Sequence, residues 1–182
     1  MDYRLSIGSN LSREALGKFL YNMICEVLVM EINFYEVEVK DWSDTRQVSI
    51  SCTYFSISIN LDDEDDYLER FREMNLEDHG VDTNVLISIQ FVSRTFDIGW
   101  LKILEVIGKL LRLNDQDLVV EDDSSYPLLK RIKGRLFINN NLDEYQTRYI
   151  TKENLELLNY PYLEKDFLKI ADIEGNFFLL IA

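Results

Sequence analysis

The sequence offers few side chains that could carry out catalysis or bind a metal. His79 is the only histidine, and it lies in a polar, turn-like stretch, so we expect an exposed loop position. A general base also needs a positioned nucleophile and an orienting group, and the sequence identifies neither beside His79. Cys25 and Cys52 are too few for a disulfide framework and lack metal-ligand spacing. We therefore expect no enzymatic activity, no bound metal and no cofactor.

Carboxylates are the most abundant reactive groups, since 33 acidic and 19 basic residues give a formal charge of −14. The densest acidic run consists of Asp62, Asp63, Glu64, Asp65 and Asp66. It is not a calcium loop of the EF-hand type, because Tyr67 holds the position that requires glycine. Apolar residues at helical spacing follow the run, and a helix N-terminus favours carboxylates. The run is therefore expected to begin a helix, and a contact surface for a basic partner is the alternative.

Two shorter stretches also combine carboxylates with other notable residues. Asp115 and Asp117 resemble half of a metal site, although a polar turn before a strand explains the pair better. Trp42 lies between Asp41 and Asp44 in a loop that separates two extended segments. It is either an interface aromatic for a basic partner or a side chain folded back on the hairpin. The partner-binding candidates are Asp41, Trp42, Asp44, Asp62, Asp63, Glu64, Asp65 and Asp66.

Length and composition fit one globular domain over residues 1–182, because 47% of the residues are hydrophobic and only two are proline. The first residues lack the basic and apolar blocks of a signal peptide, and the apolar runs are too short to span a membrane. We expect a cytoplasmic protein that is a monomer or a weak homodimer. The negative charge disfavours nucleic acid and anionic membrane as partners, and it attracts basic proteins.

The periodicity of the apolar residues predicts an α+β domain with a largely antiparallel sheet and helices packed against it. Helices are predicted near residues 12–25 and 97–112, with N-caps at Ser12 and Asp97, and a short helix is predicted after Thr151. Gly108 is expected to mark close packing of the second helix against the sheet. Strands are predicted at residues 3–7, 85–92 and 117–120, in a tight hairpin over 127–138 around Lys133 and Gly134, and at an edge over 167–170.

In two extended segments, the alternation of apolar and polar residues changes phase. Between residues 27 and 40 the apolar positions pass from even to odd numbers at Phe34 and Tyr35, and residues 48–61 repeat the change in mirror image. A side-chain period of two cannot change face without a bulge or a bend. We predict one long, bent hairpin about the loop at residues 41–46. The alternative is a pair of broken strands whose halves cover different layers.

The order of these elements, together with the local sequence in several stretches, matches the pattern of one known protein family. The match is closest at residues 97–99, in the apolar helix after them and at residues 111–120, and it continues at residues 128–131, 135–139, 151–158 and 160–162. With these features, the chain resembles the SitI3-type immunity proteins of bacterial toxin–immunity systems. The resemblance covers most of the chain and consists of structural residues.

The resemblance implies a small cytoplasmic protein that binds and neutralises a cognate toxin by direct contact, without catalytic residues. The acidity of the chain additionally suggests a basic toxin, because carboxylates steer association and can occupy a phosphate-binding cleft. The alternative function is an acidic inhibitor that mimics nucleic acid and binds a DNA- or RNA-binding protein. An unrecognised carboxylate enzyme and a structural subunit of an oligomer are further alternatives.

Overall fold

The computed structural model describes residues 1–40, 44–62 and 65–167. The strands are β1 (Asp2–Ile7), β2 (Asn33–Lys40), β3 (Asp44–Ser51), β4 (Phe55–Asn60), β5 (Val85–Phe91), β6 (Leu118–Glu121), β7 (Pro127–Ile132), β8 (Arg135–Asn139) and β9 (Tyr162–Lys165). The α-helices are α1 (Arg13–Val27), α2 (Asp65–His79), α3 (Phe96–Leu113) and α4 (Lys152–Leu155). Short 3₁₀ turns cover Ser93–Thr95, Gln146–Arg148 and Glu156–Leu158.

The strands form one nine-stranded sheet in the order β2-β3-β4-β5-β1-β6-β7-β8-β9. Every neighbouring pair is antiparallel except β8 and β9, which run parallel. The predicted α+β class with a largely antiparallel sheet is therefore confirmed. None of the described helices is both long and apolar enough to cross a membrane.

One face of the sheet carries the hydrophobic core, and we call it the core face. Alternate residues of β1, β4 and β5 point to this face, and α1 and α3 cover it. Tyr3 anchors one end, because its hydroxyl donates to the Tyr149 hydroxyl at 2.9 Å. The indole Nε1 of Trp100 donates to the Tyr149 carbonyl at 3.0 Å, so a buried aromatic cluster ties α3 to the turn before α4.

The predicted helix boundaries agree with the structure, and two of the three predicted caps do so. The Ser12 hydroxyl accepts from the Ala15 amide at 3.2 Å, and the Thr151 hydroxyl accepts from the Asn154 amide at 3.2 Å. Asp97 is not a cap, because α3 begins at Phe96 and Asp97 lies in its first turn. A carboxylate there still interacts favourably with the helix dipole.

The tight hairpin of β7 and β8 also matches its prediction. Lys133 and Gly134 have φ angles of 50° and 76°, as required at the two central positions of a type I′ turn. Gly108 marks a close approach, but not the predicted one to the sheet. A Cβ on this residue would lie 2.2 Å from the Leu158 carbonyl oxygen, so α3 packs against the backbone of the 3₁₀ turn there.

The predicted long, bent hairpin is confirmed only in its middle part. β2 and β3 pair antiparallel from Asn33 with Ser51 to Lys40 with Asp44, but its length and its bend are wrong, because β4 is a separate strand. Residues 52–54 reverse the chain between β3 and β4, and the Cys52 amide donates to the Phe55 carbonyl at 3.0 Å. Ser51 pairs with Ser56, so an even number of residues (52–55) separates these paired positions. The buried positions therefore pass from even numbers in β3 to odd numbers in β4 while staying on the core face. The alternative of broken strands with halves in different layers is wrong for residues 48–61 for the same reason, and for residues 27–40 because residues 27–32 are not a strand.

The edges of the sheet also differ from prediction. Residues 27–32 are not a strand, because α1 continues to Val27 and Leu28 caps it. The edge strand on the far side is β9, at Tyr162–Lys165, whereas an edge strand was predicted over residues 167–170. Phe167 lies outside any strand, and residues 168–170 lie outside the described residues.

Candidate functional site

The residues that the structure describes cover the second face of the sheet along only part of its width. Over β1, β5 and β6 it meets α2, whose Phe71 and Asn75 are buried. Over β1, β3, β4 and β5 it forms a shallow depression of about 420 Å³. Every residue lining that depression belongs to a strand, and the charged ones, Asp2 and Arg4, are on β1. We call the second face of β2–β5 the open face. Antiparallel sheets commonly expose one solvated face, so openness alone does not indicate function.

The composition of the open face is unusual for this chain. The outward positions of β3, β4 and β5 beside the depression are all neutral and polar, although 29% of the chain is charged. They are Gln47, Ser49, Ser51, Ser56, Ser58, Asn60, Ser88 and Gln90. Short neutral side chains produce a flat floor, and the absence of charge is a property that interface centres share.

The register aligns these residues into rows across the sheet. Tyr35 of β2 lies opposite Ser49, which lies opposite Ser58, and the same row continues through Ser88 to Arg4 of β1. Neighbouring strands are about 4.8 Å apart, so this row extends over about 19 Å. Backbone pairing on both sides of β3, β4 and β5 holds the floor in place before any partner arrives.

The edge strand β2 places apolar side chains on this face. Phe34 points to the core face, where its ring lies 5.3 Å from that of Tyr21 in α1. From Tyr35 onwards the apolar residues occupy the opposite face, with Tyr35 52% and Val37 39% exposed. The phase change in β2 is therefore a real transfer of apolar residues to the uncovered side. Exposed apolar side chains beside a neutral polar floor suit a protein contact.

The structure describes only some of the candidate acidic residues. Asp41, Trp42, Asp63 and Glu64 lie outside the described residues, and the side chains of Asp44, Asp65 and Asp66 are not described. Asp65 and Asp66 form the first turn of α2, which agrees with the expected helix start. Asp62 accepts from the amide and guanidinium of Arg46 at 2.6 Å and 2.8 Å, and this ion pair lowers the pKa of its carboxyl group. Asp62 thus has an internal partner that links β3 to the end of β4.

Other polar candidates have structural roles. Asp117 accepts from the backbone amides of Asp82 and Lys133 at 3.1 Å and 2.8 Å, as the polar-turn interpretation requires. Among the described residues, no group of three or more His, Cys, Asp and Glu side chains could hold a metal ion. His79 is not the exposed loop residue that was expected. It ends α2 with its side chain 15% exposed, and its Nε2 lies 3.2 Å from Glu121 Oε1.

The basic residues Lys130 and Arg131 do not form a surface cluster. They are adjacent in β7, so they point to opposite faces of the sheet, and both are buried. The Lys130 ammonium lies 4.6 Å from the centre of the Phe167 ring. Burial lowers the pKa of Lys130 from 10.5 to about 8, against the smaller opposing effect of Glu121.

The lowered pKa predicts how stability responds to pH. Between pH 8 and 10.5 the unfolded chain binds more protons at Lys130 than the folded one, so the free energy of unfolding rises with pH. Below pH 8, Lys130 is charged in both the folded and the unfolded state, so the free-energy cost of burying its charge does not change with pH. Lys130→Met is therefore expected to stabilise the protein by about 1–2 kcal/mol at pH 7. Urea unfolding of both proteins at pH 7, 8.5 and 10 measures the difference, which should shrink as pH rises. A variant less stable than wild type at pH 7 would contradict the assignment.

The sequence did not identify the open face, although two signals for it were present. The serines of β3 and β4 fill the positions that alternate with the buried residues, and the apolar positions of β2 change phase at Tyr35, a pattern that also fits a bend. Comparisons with known proteins add no identification: no family model matches the chain, and neither a curated protein nor a solved structure is significantly similar to it.

Proposed function

We propose that this chain is an immunity protein that binds one cognate bacterial toxin and neutralises it by direct contact through the open face. The observation that carries this assignment is the position of Tyr35 and Val37, which are exposed on an uncovered sheet face while Phe34 before them is packed against α1. Two exposed apolar side chains on one face of an edge strand provide contact area that a partner protein can bury. The sequence resemblance described above supplies the toxin as the class of partner.

The chemistry of the open face supports protein recognition. Tyrosine provides a large, rigid contact area at low entropic cost, and serine and asparagine provide adaptable hydrogen bonds, which is the combination that antibody paratopes use. Only two side chains of the floor, Gln47 and Gln90, are long, so few rotamers have to become fixed when the partner binds. Because the strands beneath it are already paired, little conformational entropy is lost on association. Simple steric occlusion of the toxin's active site is then sufficient for neutralisation.

The charge of the chain supports a basic toxin. A formal charge of −14 attracts a cationic partner over long range, whereas the neutral floor of the open face avoids desolvating charges at the contact itself. The acidic stretch that begins α2 contributes to this steering, together with the residues around Trp42. Charge should therefore act on the rate of association, and the apolar contact on the rate of dissociation.

Protection from the toxin tests the proposal directly. The genes on either side of this one are sequenced, and a toxin-like reading frame found there is expressed with and without this chain in a sensitive host. We expect growth to be restored only by co-expression, and the two purified proteins to bind. Raising the salt concentration from 0.1 M to 1 M shortens the Debye length from about 10 Å to about 3 Å, so association should slow while dissociation changes little. Failure both to bind the toxin and to protect the host would refute the immunity role.

The charge also favours one different function, an acidic inhibitor that mimics nucleic acid. Such a protein would bind a DNA- or RNA-binding protein in competition with duplex DNA, and a toxin gene beside its own would not be required. Competition by duplex DNA, with no protection against the neighbouring toxin, would favour this alternative over immunity.

A further inference from the structure

A cavity of about 400 Å³ lies where α2 meets the second face of the sheet, and we call it the α2 cavity. Tyr67, Phe71 and Met74 of α2 supply an apolar wall. Across from them lie Ser6 of β1 and Glu121 of β6. The cavity is separate from Tyr35 and Val37, which lie on the far edge of the sheet.

Two buried groups that line this cavity have no hydrogen-bond partner among the described residues. They are the hydroxyl of Ser6, a residue only 1% exposed, and Nδ1 of His79. Buried polar groups in folded proteins are nearly always paired, because an unpaired one loses its hydration without compensation. Two unpaired groups around one cavity indicate a ligand that supplies the missing partners.

The surrounding groups define the chemistry of that ligand. His79 Nε2 lies 3.2 Å from a carboxylate oxygen of Glu121, which favours the tautomer with its proton on Nε2 and leaves Nδ1 as an acceptor. Asp78 and Glu121 bring two negative charges, and Arg4, whose Nη1 donates to the Ser125 hydroxyl at 3.1 Å, brings one positive charge. Lys130 of β7 also interacts electrostatically with both carboxylates, so the surroundings have little net charge. The unused acceptors of the lining suit a ligand that donates several hydrogen bonds.

We propose that the α2 cavity binds a guanidinium group. Guanidinium presents several N–H donors in one plane, so it can reach separate acceptors on Glu121, His79 and Ser6 together. It is weakly hydrated and stacks on aromatic rings, so the wall with Tyr67 and Phe71 favours it over a compact ammonium ion. The group comes either from a free guanidino compound or from an arginine side chain of a partner protein. The inference stands apart from the proposed function, since a free compound would satisfy it without any toxin.

The single histidine makes a direct test possible. Methylguanidinium chloride is titrated into the ¹⁵N-labelled full chain at pH 8, and the ring nitrogens of His79 are followed by NMR. We expect a saturable shift of Nδ1 at about millimolar concentrations, the range that suits so small a ligand. Sodium chloride at equal concentration is the control and should leave Nδ1 unchanged. Absence of a saturable shift in the wild-type chain overturns the proposal, whatever the variants show.

Matched variants identify the groups involved. Glu121→Gln keeps an acceptor for His79 but removes the charge, and it is expected to weaken binding about tenfold, as is Ser6→Ala. Glu144→Gln removes one carboxylate from a side chain that is 91% exposed elsewhere, and it should bind like wild type. Equal binding by all three variants would overturn the assigned site. Tighter binding of N-acetyl-arginine methylamide than of L-arginine would indicate a partner's side chain as the source, and the reverse would indicate a free amino acid.

Discussion

Replacing Arg131 with alanine is expected to lower the free energy of unfolding by about 3–5 kcal/mol. The side chain is 1% exposed and serves as the hydrogen-bond centre of the connection between α3 and β6. Its Nε donates to the Gln116 carbonyl at 2.5 Å, and its Nη1 donates to the carbonyls of Leu111 and Asn114 at 2.9 Å and 2.7 Å. Truncation leaves these acceptors unpaired and opens a cavity beneath α3.

Urea unfolding at neutral pH measures this loss, and two further variants make it interpretable. Arg131→Lys should recover only part of the stability, because one ammonium group cannot reproduce the fixed fork of the guanidinium. Arg148→Ala removes an arginine that is 69% exposed and paired with Glu144, and it should change stability by less than about 1 kcal/mol. An Arg131→Ala variant as stable as Arg148→Ala would show that the connection is not held in this way.

The sequence predicted those elements whose signals are local. The apolar stripe of α3 repeats over five turns, and the hairpin of β7 and β8 contains a glycine where positive φ is required. The turn between β3 and β4 consists of Cys52, Thr53 and Tyr54, none of which is a typical turn residue. Without that signal, a change of phase in the alternation could not be distinguished from a bend.

The roles of single residues could not be predicted because they depend on partners far along the chain. Lys130 and Arg131 resemble a solvated basic pair in sequence, yet strand geometry sends them to opposite faces. His79 and Glu121 are separated by more than forty residues but lie in contact. Likewise, the serines of β3, β4 and β5 become one surface only when the strand order is known.

The second prediction with a large expected effect concerns the affinity for the toxin. Changing Tyr35 and Val37 together to serine is expected to weaken toxin binding at least about 100-fold, since a buried aromatic anchor typically dominates the energy of an interface. The loss should come mainly from faster dissociation. Both side chains are partly exposed on an edge strand, so the folded domain should lose little stability. A matched control changes Tyr145 and Leu163, which are 45% and 57% exposed away from the open face, to serine.

The most direct test of the account is the dissociation constant of the toxin complex for wild type and these two double variants, with circular dichroism to confirm that each is folded. The account predicts wild-type affinity for Tyr145→Ser/Leu163→Ser, and binding at least about 100-fold weaker for Tyr35→Ser/Val37→Ser. Wild-type affinity in a folded Tyr35→Ser/Val37→Ser protein would contradict it, because the toxin would then bind somewhere other than the open face.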